Sequence, residues 1–238
     1  PHRRQLENQL AERIYRAIAS GQSVLLPTPA LGLGQELLML LRSHHYFTGR
    51  DIDVWVDGMV ALGCDIYLEL LPHFPASIQN FAQHQPLFWD DRIRPRVRRL
   101  SPELLPELDR EPCILIVDTG ADIEPYISHR PGYWSLFLPE PPGSSADVPP
   151  IARSEAIAVE TYFLTEHCDA PGTTQLIHNL RPQHVIFVHG SLTYLADLTN
   201  LDELRNRYQL HYPAAGVEVP LPIGETFLQP TLPETHYQ

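Results

Sequence analysis

Two segments of this chain decide its fold, and each has the pattern of a buried strand that ends in a histidine. Residues 162–169 read Tyr-Phe-Leu-Thr-Glu-His-Cys-Asp, and residues 184–190 read His-Val-Ile-Phe-Val-His-Gly. The stretch between them, 170–180, is predicted to be a helix. In a strand-helix-strand unit, groups at the carboxyl ends of the strands face the crevice where ligands bind. The pattern therefore predicts that His167 and His189 lie at one edge of one sheet.

Strands and helices also alternate at the start of the chain. The spacing of apolar residues predicts a helix over 5–20, a buried strand over 23–27 and a leucine-rich helix over 35–43. A strand over 53–57 and a helix over 58–71 repeat that order. We therefore predict an α/β fold with three layers and a mostly parallel, Rossmann-like sheet, followed by a small α/β segment.

A proline-rich stretch marks the expected domain boundary. Residues 139–150 contain five prolines and the run Gly143-Ser144-Ser145. Such a composition is typical of a linker or a surface excursion. The sequence thus predicts one domain over 1–150 and a second over 151–238. The chain opens at Pro1, without a methionine, and we expect it to be part of a longer protein.

The charge of the chain limits the ways in which it can bind nucleic acid. The formal net charge is -12, which opposes loose, sequence-blind binding to phosphates. One basic stretch stands out, since residues 92–99 read Arg-Ile-Arg-Pro-Arg-Val-Arg-Arg within a region, 72–100, predicted to be irregular or to form short helices. This stretch could lie along a phosphate backbone. Alternatively, it is a solvated strand or loop that is neutralised by Asp90, Asp91 and Glu103.

The cysteines and the hydropathy pattern bear on metal binding and on location. The chain has three cysteines and no Cys-x-x-Cys pair, which argues against a zinc site built from paired thiolates. Sparse, unpaired cysteines fit a reducing cytoplasm. The sequence has no signal peptide and no apolar run of membrane length. A cytoplasmic location without a membrane partner is therefore predicted.

The two histidine segments resemble the C-terminal end of the β-CASP group of metallo-β-lactamase-fold nucleases. In that family the pattern runs roughly Phe-Ser-Ala-His-Ala-Asp, then a helix, then Val-hydrophobic-Val-His-Gly. Residues 27–37 are also similar to the family segment Pro-x-Phe-Ala-Leu-Gly-Arg-Ala-Gln-Glu-Leu, with a departure at Leu33, where the family often has arginine. The resemblance implies a β-CASP-like domain followed by return strands of the lactamase fold.

The resemblance also implies roles for individual residues. It makes His167 the catalytic residue that contacts the scissile phosphate, and it makes His189 a zinc ligand. It places Gly32, Asp57 and Thr119 at substrate-binding positions. For Asp57 the other interpretation is a helix cap, because an aspartate before a helix accepts hydrogen bonds from its first amides. The loop around Thr119 is acidic where the family has small neutral residues.

The function that the resemblance implies is metal-dependent RNA processing by phosphodiester hydrolysis, with zinc as the cofactor and RNA as a partner. The family's defining His-x-His-x-Asp-His cluster is not in this chain. We therefore expect the chain to be inactive alone and to bind no zinc by itself. It would act with the N-terminal metallo-β-lactamase region of a parent chain, and it could form a homo-oligomer.

Two other functions are compatible with the sequence. A degenerate, non-catalytic interaction domain would explain the acidic charge, Leu33 and Glu166. A nucleotide-binding doubly wound domain is a minor alternative, because Gly32 and Gly34 lack a third glycine at the spacing of the dinucleotide-binding motif.

Overall fold

The structure is a computed structural model that describes residues 3–128, 130–140, 145–153, 157–164, 168 and 170–224. The chain divides into two compact units, Pro1–His167 and Cys168–Gln238. Among the described residues, no helix combines the length and the apolar character that crossing a membrane requires.

The first unit is built on a six-stranded sheet in which every strand pair is parallel. In chain order its strands are β1 (Ser23–Thr28), β2 (Asp53–Val56), β3 (Arg96–Arg99), β4 (Ile114–Asp118), β5 (Trp134–Pro139) and β6 (Ala158–Tyr162). Their order across the sheet is β3-β2-β4-β1-β5-β6. Strands β4 and β1 therefore lie at the centre, and β3 and β6 form the two edges.

In the described part of the first unit, five α-helices accompany these strands. They are α1 (Arg3–Ala19), α2 (Leu33–Ser43), α3 (Gly58–Glu69), α4 (Ala76–His84) and α5 (Glu124–Ile127). Four 3-10 helices cover Leu71–His73, Pro102–Asp109, Pro131–Tyr133 and Pro150–Arg153.

Apolar residues are buried on both faces of this sheet. On one face, β1 contributes Val24 and Leu26, which pack with buried residues of α1, α2 and α3. On the other face, Leu25 packs with residues of the 3-10 helix Pro102–Asp109 and of α5. Strands that are covered on both faces are nearly continuous in hydrophobic residues, as β1 and β4 are. The three-layer α/β fold with a mostly parallel sheet is thus confirmed.

Strand β6 lies beyond the boundary that the proline-rich stretch suggested. It pairs with β5 in the register Leu136↔Val159. Arg13 of α1 holds it from the side, because its Nε donates to Glu160 Oε2 at 2.7 Å and its Nη1 donates to Thr161 O at 2.7 Å. The compact unit therefore extends past residue 150, and the two domains 1–150 and 151–238 stay a prediction.

The second unit has a small sheet of its own. Its elements are α6 (Ala170–Leu180), β7 (His184–Ile186), α7 (Leu192–Thr199), α8 (Asp202–Arg205) and β8 (Gln209–His211). Strands β7 and β8 pair in parallel, in the register His184↔Gln209. One face of this pair packs on the helices through Phe187, whereas Ile186 is 42% exposed and Val188 is 61% exposed.

The expectation that both histidine segments share one sheet is wrong. Strand β6, which precedes the first segment's histidine, belongs to the six-stranded sheet, and β7 belongs to the two-stranded sheet. The second segment was identified, since β7 begins at His184, but the first strand was predicted from residue 162 and β6 covers Ala158–Tyr162. The local pattern also carried no information on the partners of either strand. Strand β6 adds to the free edge of β5, and β7 finds its partner in β8.

Candidate functional site

His189 lies in a tight turn between β7 and α7. Its backbone is in the left-handed region, with φ 64°, and its side chain is exposed. The following Gly190 leaves no room for a side chain, since a Cβ there would lie 2.9 Å from Leu195 Cδ2. Ser191 then caps α7, because its hydroxyl accepts a hydrogen bond from the Tyr194 amide at 3.3 Å. The turn therefore presents the imidazole at the start of a helix.

The left-handed backbone of His189 is a reason to assign it a function. Only one other non-glycine residue of the described chain, Arg181, has a positive φ. Such conformations cost about 1–3 kcal/mol and concentrate at functional sites, where the surrounding structure enforces them. Gly190 and the cap of α7 provide that enforcement here.

His167, the predicted catalytic residue, lies outside the described residues, as do its neighbours Thr165, Glu166 and Asp169. Cys168 is described and exposed. The catalytic assignment of His167 therefore stays a prediction from the sequence.

Gly32 begins helix α2 and has φ 85°, a conformation that favours glycine. The loop before it is packed closely on α3. Gln35 Nε2 donates to Ala30 O at 3.0 Å and to Val60 O at 3.3 Å, and a Cβ at Gly63 would lie 2.6 Å from Ala30 O. This packing fixes the shape of the loop that follows β1, which is the position where the sequence predicted substrate binding.

Asp57 lies at the carboxyl end of β2 and caps α3. Its Oδ1 accepts from the Gly58 amide at 2.6 Å, and its Oδ2 accepts from the Tyr126 hydroxyl at 2.7 Å. Asp118, at the end of the neighbouring β4, accepts from the Met59 amide at 3.1 Å. Both the cap and the strand-end position that the sequence suggested for Asp57 are therefore present.

The two carboxylates determine the electrostatics of this edge. A helix amino terminus attracts anions, but here Asp57 and Asp118 already occupy the first amides of α3. Burial and the hydrogen bond to Asp57 raise the pKa of Tyr126 above its usual range, so this hydroxyl stays a donor. An incoming phosphate would have to displace one of these carboxylates.

Thr119 follows β4, and its amide donates to Thr28 O at 3.0 Å. This bond extends the pairing of β4 with β1, and the Thr119 side chain remains exposed. Because β2, β4 and β1 are neighbours, the structure brings the loops of Gly32, Asp57 and Thr119 to one edge of the sheet. The sequence did not identify Tyr126, since no local pattern links it to Asp57.

The described residues do not form a zinc site by themselves. Among them, no group of three or more His, Cys, Asp or Glu side chains is arranged to hold a metal ion. Structural zinc sites use four protein ligands and catalytic sites use three. His189 could supply one imidazole nitrogen, and the other ligands would have to come from elsewhere.

The second half of the arginine-rich stretch forms the edge strand β3, Arg96–Arg99, and the charges of the whole stretch are already paired. Each of its five arginines contacts an aspartate. The pairs are Arg92 with Asp90, Arg94 with Asp51, Arg96 with Asp51 and Asp53, Arg98 with Asp91 and Asp53, and Arg99 with Asp65. This arrangement matches the neutralised-strand interpretation, with Asp51, Asp53 and Asp65 as partners that the sequence did not suggest. Those three aspartates are distant from the arginines in sequence. Asp51 and Asp53 are brought beside β3 by the pairing of β2 with β3, and Asp65 lies on α3.

Comparison with known proteins identifies relatives of several kinds. No protein-family profile matches the chain. The chain is distantly similar to an RNase J-like protein and to a transcription termination factor, which supports at most a distant relationship to the β-CASP group. An RNase J-like protein of Methanocaldococcus jannaschii is 27% identical over 50% of the chain, and transcription termination factor FttA of Pyrococcus horikoshii is 34% identical over 24% of it.

A much stronger similarity covers nearly the whole chain. The uncharacterized protein sll0514 of Synechocystis sp. is 46% identical over 98% of the chain. The chain spans 43% of the length of that protein, 27% of the RNase J-like protein and 9% of FttA.

Proposed function

We propose that this chain is part of a metal-dependent nuclease of the metallo-β-lactamase and β-CASP type that processes RNA by phosphodiester hydrolysis. The observation that carries the proposal is the left-handed turn that presents His189 after β7. Similarity to an RNase J-like protein over half of the chain supports it independently. In this proposal the chain supplies an RNA-binding domain and two active-site histidines.

The two histidines have different proposed tasks. His189 ligates zinc through one imidazole nitrogen, and His167 contacts the scissile phosphate, where an imidazole can donate a proton. Zinc, when bound, would supply an activated water and stabilise charge on the phosphate. Since the described residues hold no complete metal site, the remaining ligands are assigned to the N-terminal metallo-β-lactamase region of a parent chain.

The small sheet of the second unit supports this dependence on further structure. Its outer face exposes Ile186 and Val188, and a two-stranded sheet is marginal on its own. Covering that face would remove apolar surface from water, which is favourable. In this proposal, the lactamase region of the parent chain packs against the exposed face of the β7–β8 sheet.

The loops of Gly32, Asp57 and Thr119 are the proposed contacts to the substrate. They share the edge at the carboxyl ends of β1, β2 and β4, where open α/β sheets bind ligands. Because Asp57 and Asp118 make this edge acidic, we expect contacts to the bases or sugars of RNA rather than to its phosphates. A cytoplasmic location stays a prediction.

The test uses the full-length protein from the organism that encodes this chain. With zinc or manganese it should cleave single-stranded RNA, and elemental analysis should find bound metal. His189→Ala should abolish cleavage and lower the metal content, whereas His73→Ala, an exposed histidine of the first unit, should do neither. An inert protein whose metal content is unchanged by His189→Ala would end the proposal.

A non-catalytic interaction domain is the second candidate. The paired arginines of β3 and the carboxylates that fill the start of α3 favour it, because both reduce the attraction of phosphates. This candidate predicts a metal-free full-length protein that retains no RNA at physiological salt and forms a stable complex, with itself or with another protein. Robust RNA cleavage would exclude it.

A further inference from the structure

A cleft of about 540 Å³ lies beside the edge strand β3, and the residues that line it do not include Gly32, Asp57 or Thr119. We call it the β3 cleft. Its wall includes the tryptophans Trp55 and Trp89, the arginines Arg98 and Arg99, and the carboxylates of Asp90, Asp91 and Glu107. Its volume lies within the range typical of small-ligand sites.

Two arginines of the cleft are stacked on its two tryptophans. The guanidinium carbon of Arg98 lies 5.5 Å from the centroid of the Trp55 ring, and that of Arg99 lies 4.9 Å from the Trp89 ring. Each guanidinium stacked on an indole ring, which we call a layer, is stabilised by a cation–π contact. The outer face of a stacked guanidinium is itself a platform on which a nucleobase can stack.

Hydrogen bonds hold these layers in place before any ligand arrives. Arg98 Nε donates to Asp91 Oδ1 at 2.6 Å, and Arg99 donates to Asp65. The Trp89 indole also donates to Asp65, at 3.0 Å. Because Arg99 and Trp89 both bond to the Asp65 carboxylate, their stacked arrangement is already fixed. This preorganisation reduces the entropy lost when a ligand binds.

The balance of charge in the cleft indicates the chemistry of its ligand. Arg98 and Arg99 share the wall with Asp90, Asp91 and Glu107, so its three carboxylates outnumber its two guanidinium groups. One of the three, Glu107, also pairs with Arg110 at 3.1 Å. A free phosphate would meet repulsion from the carboxylates as well as attraction from the arginines. A neutral planar ring that has both hydrogen-bond donors and acceptors matches this wall better.

We propose that the β3 cleft binds an unpaired guanine base of single-stranded RNA. Guanine offers O6 and N7 as acceptors for an arginine and its N2 amino group as a donor for a carboxylate. Its ring stacks on the guanidinium of Arg98, on the same side of the sheet as Trp55; Arg99 follows Arg98 in the strand and points to the other side. The choice of an RNA base rests on the proposed function, whereas the complementarity to guanine rests on the cleft itself.

The test uses guanosine, which carries no phosphate, and the 238-residue chain. Two of the three tryptophans of the chain line the cleft, and the third, Trp134, is fully buried elsewhere in the core. Guanosine should shift the indole N–H resonances of Trp55 and Trp89 saturably and leave Trp134 unchanged. Uridine should bind at least about tenfold more weakly, because it lacks an amino group to offer the carboxylates.

Substitutions in the wall of the β3 cleft test which side chains contact guanosine. Arg98→Gln and Glu107→Gln should each weaken guanosine binding about tenfold. Arg16→Gln, which removes an equally charged but distant surface residue paired with Glu12, should leave it unchanged. Near-ultraviolet circular dichroism of each variant reports whether the fold is retained.

Three results would overturn the inference: no saturable shift with guanosine, equal shifts with inorganic phosphate alone, or guanosine affinity that survives both substitutions. None of them bears on RNA cleavage by the full-length protein, which is measured separately. Conversely, if the chain binds guanosine but the full-length protein does not cleave RNA, the guanine site would stand and the proposed nuclease function would be rejected.

Discussion

At the scale of single residues, a buried ion pair anchors the segment that precedes β3. Arg42 of α2 and Asp90 lie 3.5 Å apart, between Nη2 and Oδ2, with side chains only 2% and 1% exposed. Arg42 Nη1 also donates to Pro86 O at 2.7 Å and to Phe88 O at 3.0 Å. The pair therefore ties α2 to the segment that leads into β3.

Removing one partner of this pair should destabilise the protein strongly. Asp90→Asn leaves the buried Arg42 without its counter-charge, and we expect the free energy of unfolding to fall by about 3–5 kcal/mol. Asp91→Asn, at a carboxylate that is 71% exposed and pairs with Arg98, should change it by less than about 1 kcal/mol. Urea denaturation of both variants provides the comparison, and equal losses would contradict the assignment.

The same carboxylate predicts a pH dependence. Burial tends to raise the pKa of Asp90, but hydrogen bonds from the Arg92 amide and guanidinium outweigh it and lower the pKa below its usual value. A lowered pKa stabilises the folded state above the unfolded value, about 3.9, and this contribution is lost as the pH falls through the folded pKa. The unfolding free energy should therefore drop below about pH 4, and less steeply in Asp90→Asn.

Two glycines with positive φ allow the cost of backbone strain to be compared with the added cost of a steric clash. Gly49 and Gly58 both have positive φ, but a Cβ at Gly49 meets open space and one at Gly58 would lie 2.6 Å from Asp118 Oδ1. Gly49→Ala should cost about 1 kcal/mol. Gly58→Ala should cost about 1 kcal/mol more, because Asp118 must move and lose its bond to the Met59 amide. Thermal denaturation measures both, and identical losses would show that Asp118 does not constrain this turn.

At the scale of elements, the strands differ in how well their backbones are covered. Strand β1 has partners on both sides and lies between two apolar layers, whereas the β7–β8 pair has one packed face. Opening β1 requires much of the first unit to unfold, but opening β8 disrupts a single ladder. The helix α3, capped by Asp57 and Asp118, belongs with the well-anchored elements.

Amide hydrogen exchange should reproduce this ranking. We expect amides of β1 and β4 to exchange at least about tenfold more slowly than those of β7 and β8. The experiment is done at two protein concentrations. Protection of β7 and β8 that rises with concentration would indicate that a second copy covers the exposed face, and protection equal to that of β1 in dilute protein would contradict the ranking.

At the scale of the whole molecule, charge pairing sets how RNA can be bound. Five free arginines contacting phosphates of a single strand would give a salt slope of about -3.5. Because all five arginines of residues 92–99 already contact an aspartate, and the chain carries a net charge of -12, we expect a salt slope shallower than about -2. The double substitution Asp51→Asn with Asp91→Asn removes the aspartate that Arg94 contacts and leaves Arg98 only its longer contact to Asp53, at 3.7 Å, so it should steepen the slope.

Fluorescence anisotropy with a labelled oligoribonucleotide, titrated at several salt concentrations, measures this slope. Arg16→Gln is the control, because it alters a distant surface charge. A wild-type slope near -3.5 would mean that RNA displaces the aspartates, and β3 would then be a phosphate-binding strand.

Local patterns in the sequence were enough to predict most elements and part of the candidate site. The apolar runs at 23–27 and 53–57 predicted buried strands, and they became β1 and β2. The alternation of strands and helices predicted the layered fold. Asp57 and Thr119 follow strands, so their position at one edge was also foreseeable.

Other features depended on contacts between distant residues. The pairing of β6 with β5, the second carboxylate on α3, the aspartates facing β3 and the tryptophans of the β3 cleft all join parts of the chain that are far apart in sequence. The sequence alone thus determined which segments become strands and helices, because burial and periodicity act within a few residues. Only the tertiary structure decided which strands share a sheet and which charges are neutralised, because those outcomes depend on the edges and partners that folding brings together.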